Sequence, residues 1–127
     1  MRLAIDTNRY VDFARGVPDA VAMLRRADEV LVPFVVLGEL RAGFAGGDRT
    51  GENEANLVRF LDSRRVAPVF ADEETTHHYA RLFQQLRRQG TPIPTNDLWV
   101  AALVVQHNAQ LYARDAHFDH LPQIPRL

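Results

Sequence analysis

Short apolar runs alternate with longer segments whose apolar residues recur at helical spacing, and this alternation restricts the chain to an α/β fold with a parallel sheet. Parallel neighbours cannot be joined by a tight turn, so each strand needs a crossover, usually a helix. Leu3-Ala4-Ile5, Val30-Leu31-Val32, Val66 to Phe70 and Ala109 to Ala113 read as strands, and Pro122-Gln123-Ile124 offers a short fifth. Between them, a helix from Asn8 to Arg15 stops at Gly16, and Pro18 opens another with Val21, Met23 and Leu24 inward. After Pro33 and Phe34, Val36, Leu40 and Phe44 fall at i, i+4 and i+8. Gly43 through Gly51 is the expected mobile loop, and a helix from about Glu52 then buries Leu57, Phe60 and Leu61. Asp72-Glu73-Glu74 opens the longest helix, with acids at its positive end, a buried stripe of Tyr79, Leu82, Phe83 and Leu86, and Gly90 at its close. The last helix, from Thr95 or Asn96 to about His107, is apolar nearly all round and should be buried.

The 127 residues suit one domain spanning 1–127, with no repeat or linker. No apolar run approaches the ~20 residues of a membrane span, and the N-terminus lacks the apolar core of a signal peptide. With no cysteine, disulfides and thiolate chemistry are excluded; a cytoplasmic protein is expected. The 15 basic residues are all arginine, which excludes a phosphate-binding P-loop lysine and Schiff-base chemistry. A net charge of −1 argues against a general polyanion binder.

What remains is carboxylate chemistry. Ligands of open parallel sheets bind beyond the carboxyl ends of the strands, where strand order reverses. Asp6 ends the first strand and Asp115 lies just past the fourth, although Asp6 would also cap a helix and Asp115 would also start a turn. Glu39 borders the Val36/Leu40/Phe44 stripe, either as a surface residue at its edge or as a partly desolvated ligand. Asp97 sits in the first turn of the last helix, where it complements the dipole or joins the same rim, with Thr95 or Asn96 as the cap. Converging carboxylates repel one another unless a cation neutralises them, and Mg²⁺ or Mn²⁺ suits such an oxygen shell. Ser63 has no adjacent base; His77 and His78 are expected on an exposed helix face, and His117 and His120 lack zinc-site spacing.

At these residues the chain resembles the PIN-domain family. Ala4-Ile5-Asp6-Thr7-Asn8 is similar to its opening motif, and Gly38-Glu39-Leu40 to its second acidic motif. Thr95-Asn96-Asp97-Leu98-Trp99-Val100-Ala101-Ala102 resembles the third and Arg114-Asp115-Ala116-His117-Phe118 the fourth; the combination looks most like VapC-type toxins of toxin–antitoxin pairs. The resemblance implies a three-layer α/β/α sandwich around a parallel sheet of about five strands. It also implies Mg²⁺- or Mn²⁺-dependent endoribonuclease activity, on tRNA or ribosomal RNA loops. Asp6, Glu39, Asp97 and Asp115 become the catalytic, metal-binding acids, and Thr7, Asn8 and Asn96 substrate or supporting contacts. The partners implied are RNA, a VapB-like antitoxin, and a second copy in a homodimer, or a heterotetramer or larger assembly with antitoxin, with no membrane. One departure is Ala113, where many relatives place a Thr or Ser hydroxyl. It leaves room for the alternative of a catalytically weak or inactive scaffold module, since fold does not guarantee activity. Aspartate-nucleophile phosphatases and receiver domains place an Asp similarly, but the missing lysine, and Asn8 where a phosphatase carries a second Asp, speak against them.

Overall fold

A computed structural model describes residues 1–127. Four strands, β1 (Arg2–Ile5), β2 (Glu29–Pro33), β3 (Val66–Val69) and β4 (Gln110–Tyr112), form one sheet in the order β3-β2-β1-β4, parallel throughout. Helices α1 (Thr7–Ala14) and α2 (Pro18–Arg26) connect β1 to β2, and α3 (Phe34–Ala45) and α4 (Thr50–Leu61) connect β2 to β3. α5 (Glu73–Gln89) and α6 (Thr95–Gln106) then carry the chain across to β4, on the far side of β1. The order therefore reverses between β1 and β4, the place where open sheets bind ligands.

The central strands are apolar without alternation because helices cover both of their faces. Leu3, Ala4 and Ile5 of β1 and Val30 to Pro33 of β2 are all buried. β3 is the opposite case: Pro68 lacks a donor and Ala67 and Pro68 are exposed, as suits an edge strand. Leu57 of α4, Leu82 and Leu86 of α5, and Leu98, Val100 to Val104 of α6 close the core. Each such leucine stabilises the fold by roughly 1.5–3 kcal/mol relative to an exposed one.

The sheet has four strands, not about five. Pro122 opens the segment expected as a fifth and Pro125 follows it, and neither can donate to a ladder. The tail instead touches β4 through a lone bridge between Leu111 and Arg126, with Leu111 N–H donating to Pro125 O at 2.7 Å. The glycine-rich segment also differs from expectation. Gly43 lies inside α3, Gly51 inside α4, and only Gly46 to Arg49 separate the two helices. A glycine weakens a helix interior but does not end it where a long apolar face, here Val35, Val36, Leu37 and Leu40, is buried. On α5, Leu82 and Leu86 are buried, Tyr79 is half-buried and Phe83 is 43% exposed, so the stripe is narrower than its apolar pattern.

Candidate active site at the carboxyl ends of the strands

Asp6 leaves β1 and caps α1, its Oδ1 accepting from Arg9 N–H at 2.8 Å. Its Oδ2 accepts from Arg114 N–H at 3.2 Å, across from the end of β4. The capping role and the place at the strand-order reversal thus belong to the same side chain. Burial pushes the Asp6 carboxyl above the ordinary carboxylate range, opposed by those two amides and by Arg9, and reinforced by the charge of Asp115.

Asp115 caps a short 3₁₀ turn, accepting from His117 N–H at 2.9 Å. The segment carrying it is pinned from behind. Arg126 donates to Ala113 O at 2.8 Å and to Asp115 O at 3.2 Å. Ala113 itself is buried and offers the site no hydroxyl.

Asp97 was expected to follow a Thr95 or Asn96 cap. The N-cap is instead Pro94, with no side-chain cap bond, so both polar residues are released from capping. Asn96 Nδ2 approaches Glu39 Oε2 at 3.5 Å. Asp97 Oδ2 lies 2.8 Å from His117 Nδ1. Burial raises the Asp97 carboxyl; the His117 contact lowers it, and the charges of Asp115 and Glu39 raise it again. Those mutual repulsions link the acids: Asp6 feels Asp115, and Asp97 feels both Asp115 and Glu39.

Glu39 is exposed rather than desolvated, so burial does not single it out. It is ordered by hydrogen bonds: Thr7 Oγ1 donates to Oε1 at 2.7 Å, beside the Asn96 contact on Oε2. Thr7 and Asn96 both contact Glu39 through their side chains. Asn8 is exposed, and no side-chain hydrogen bond ties it to the cluster.

The spacing along the chain allows His117 to assist a phosphate but leaves it without a zinc-site partner. Two residues beyond Asp115, it turns back so that Nδ1 lies 2.8 Å from both Asp97 and Asp115. Its pKa is raised, first by the Asp97 contact and then by the charges of both acids. The signal was its place beside Asp115, but the partner on α6 is visible only in three dimensions. Arg9, Asp12 and Arg114 were also missed, since nothing in their order along the chain joins them.

The carboxylate oxygens of Asp97 and Asp115 suit a hard divalent ion, and His117 is hydrogen-bonded to both acids. Donor atoms of Asp97, Asp115 and His117 lie within 4.8 Å of one another; ligands opposite each other on a Mg²⁺-sized ion are roughly 4.2 Å apart. Asp6 and Glu39 stand outside that tight trio. Asp6 is buried, Asp97 and Asp115 are partly buried and Glu39 is exposed; a groove of about 600 Å³ lined by Tyr10, Phe13, Leu24, Phe60 and Arg65 includes none of these acids.

The raised Asp97 carboxyl has a measurable consequence in protein stripped of divalent ions. Its ionised form is disfavoured in the fold, so the penalty is full near neutral pH and vanishes as pH falls through the raised pKa towards 3.8. Metal-free Asp97→Asn should therefore melt at or above the parent temperature near neutral pH, with the gap closing towards about pH 4. Thermal melts of both proteins across that range check this; a variant less stable at every pH would contradict it.

The PIN domain profile matches residues 3–124. Ribonuclease VapC1 of Haemophilus influenzae (strain R2866) is 28% identical over 121 residues, covering 87% of this chain and 89% of the relative. Among solved structures, VapBC-1 from nontypeable Haemophilus influenzae superposes with a TM-score of 0.87 at 23% identity, covering 100% of this chain and 97% of that one. VapBC2 from Rickettsia felis, bound to a DNA fragment from their promoter, gives 0.85 at 24% identity, covering 100% and 98%.

Proposed function

The chain belongs to the PIN-domain family, and from that premise we propose that it is a Mg²⁺- or Mn²⁺-dependent endoribonuclease, the toxin half of a toxin–antitoxin pair. The observation that carries the reading is the gathering of Asp97, Asp115 and His117 at the strand-order reversal, with Asp6 and Glu39 on the same rim. Ribonuclease VapC1 of Haemophilus influenzae is a ribonuclease, and the superposed structures are VapBC assemblies.

Asp6, Asp97, Asp115 and Glu39 hold the ion in this proposal, and the whole chain acts as one domain. When bound, the ion makes a water more acidic for attack on phosphorus and offsets charge on the phosphoryl oxygens. Thr7 and Asn96 fix the two oxygens of Glu39, and Arg9 and Arg114 fix those of Asp6. Arg126 holds the Asp115 segment through its carbonyls. Glu39 and Asn96 are exposed beside the partly buried Asp97 and Asp115, which favours a strand whose backbone can approach closely, single-stranded or looped RNA such as tRNA or ribosomal RNA loops. Ala113 favours a second reading, a catalytically weak or inactive scaffold, because no hydroxyl there can orient a carboxylate or water.

An unchecked ribonuclease would harm its cell, so a VapB-like antitoxin is the proposed partner. An arginine on the antitoxin would pair with these acids bidentately, and apolar side chains would occupy hollows such as the one lined by Phe13 and Phe60. Phe13, Met23 and Phe44 are half-buried against the core, whereas Phe83 is open to a partner, including a second copy in a homodimer or larger complex. No helix is long and apolar enough to cross a membrane; a cytoplasmic site of action is proposed. Expression of the chain alone should arrest growth, and co-expression with an adjacent antitoxin gene should restore it with both proteins co-purifying. Harmless expression of folded, metal-binding protein that leaves RNA intact would favour the scaffold.

A further inference from the structure

Asp12 of α1 is a carboxylate at 7% exposure that plays no part in the chemistry described above. Arg114 Nη1 donates to its Oδ1 at 3.0 Å and its Oδ2 at 3.2 Å, and Arg9 Nη1 approaches Oδ2 at 3.4 Å. These are the two residues whose backbone amides hold the two oxygens of Asp6. The same pair of residues is thus gripped twice, by side chain to Asp12 and by main chain to Asp6.

The need for such a grip differs between the two. Arg9 lies within α1, and its amide is aimed by the helix. Its guanidinium is also fixed, lying over the Tyr112 ring at 4.2 Å. Arg114 lies two residues past the end of β4 and two before the 3₁₀ turn, so no ladder or helix fixes its amide. Arg126 anchors the carbonyls on either side of it, at Ala113 and Asp115. The Arg114 side chain, reaching back to α1, supplies the remaining constraint. A buried carboxylate demands cationic partners, and here the partners are drawn from the two sides of the site.

We propose that Asp12 is a positioning residue: by binding the side chains of Arg9 and Arg114 it sets the spacing between α1 and the segment after β4, and so the orientation of the Asp6 carboxylate towards a divalent ion. This rests on the reading of Asp6 as a metal-holding acid. Supporting groups of this kind tune metal affinity by about 10–100-fold when they are removed.

The test is Mn²⁺ binding by titration calorimetry on folded protein, with melting temperature recorded in parallel. Asp12→Asn should weaken Mn²⁺ binding about tenfold. Arg114→Met, which keeps the backbone amide and removes an exposed side chain, should weaken it in the same direction by a smaller factor. In an Asp6→Asn background, Asp12→Asn should cost nothing further, the non-additivity expected of residues acting through one another. A purely structural ion pair would lower the melting temperature and leave the affinity of the folded protein unchanged. Parental Mn²⁺ affinity in folded Asp12→Asn, alongside lost affinity in Asp6→Asn, would overturn the inference alone. If Asp12→Asn does not fold, parental affinity in Arg114→Met overturns it equally. Parental affinity in Asp6→Asn would remove Asp6 from the metal site, and the inference with it.

Discussion

Replacing Asp97 by Asn is expected to cut RNA cleavage roughly 10²–10³-fold, the cost of several kcal/mol of transition-state stabilisation. The substitution keeps the shape of the side chain and removes one charged oxygen from the Asp97, Asp115 and His117 trio. Folding should survive, because Asp97 does not cap α6; Pro94 holds that position without any side-chain bond. The expected pattern is therefore lost cleavage with an unchanged or raised melting temperature in metal-free protein, because the burial penalty on the charge, and then the repulsion from Asp115 and Glu39, are relieved. Asp6→Asn should lose activity similarly but with less to gain in stability. Its Oδ2 accepts from Arg114 N–H, and an amide turned that way would set donor against donor. Cleavage assays and melts on the same preparations decide the matter. Full activity in Asp97→Asn would take this residue out of the metal site, and an unfolded variant would assign it to the structure of α6.

Chelation is the second large effect. Without divalent ions the rim presents mutually repelling carboxylates to a phosphate backbone, and both repulsions act against binding and attack. EDTA should therefore abolish cleavage, and Mg²⁺ or Mn²⁺ should restore it. Protons compete with the ion for the same oxygens, so the concentration of Mn²⁺ needed for half-restoration should rise as pH falls. Burial raises the carboxyls of Asp6 and Asp97, so that rise should begin at a higher pH than for ordinary carboxylates. Undiminished cleavage in EDTA by metal-free protein would contradict the proposal.

The parts of this protein legible from its sequence are those set by local chemistry. A period of two or three to four in apolar residues defines which segments can bury a face, and the run Leu3-Ala4-Ile5 ending in Asp6 announces a covered strand with a polar exit. The boundaries of α5 follow from acids at its start and Gly90, in a left-handed conformation, at its end. The errors came where context outweighed local signals. Gly43 and Gly51 read as loop but sit in helices secured by apolar burial, and the prolines of the tail defeated an apolar segment read as strand.

The order of residues alone determined the fold class, the four acids as candidates and, through the absence of lysine and cysteine, the chemistry open to them. These follow from side-chain type and spacing. Tertiary structure alone decided which groups meet. Strand order brings the end of β1 beside the end of β4, so Asp6 receives an amide from Arg114, 108 positions away. The packing of α6 places Asp97 against His117, and that of α1 against the segment after β4 joins Asp12 to Arg114. Sequence spacing carries no information about such pairs, because the crossovers that bring them together are held by the shared apolar core rather than by the residues that meet.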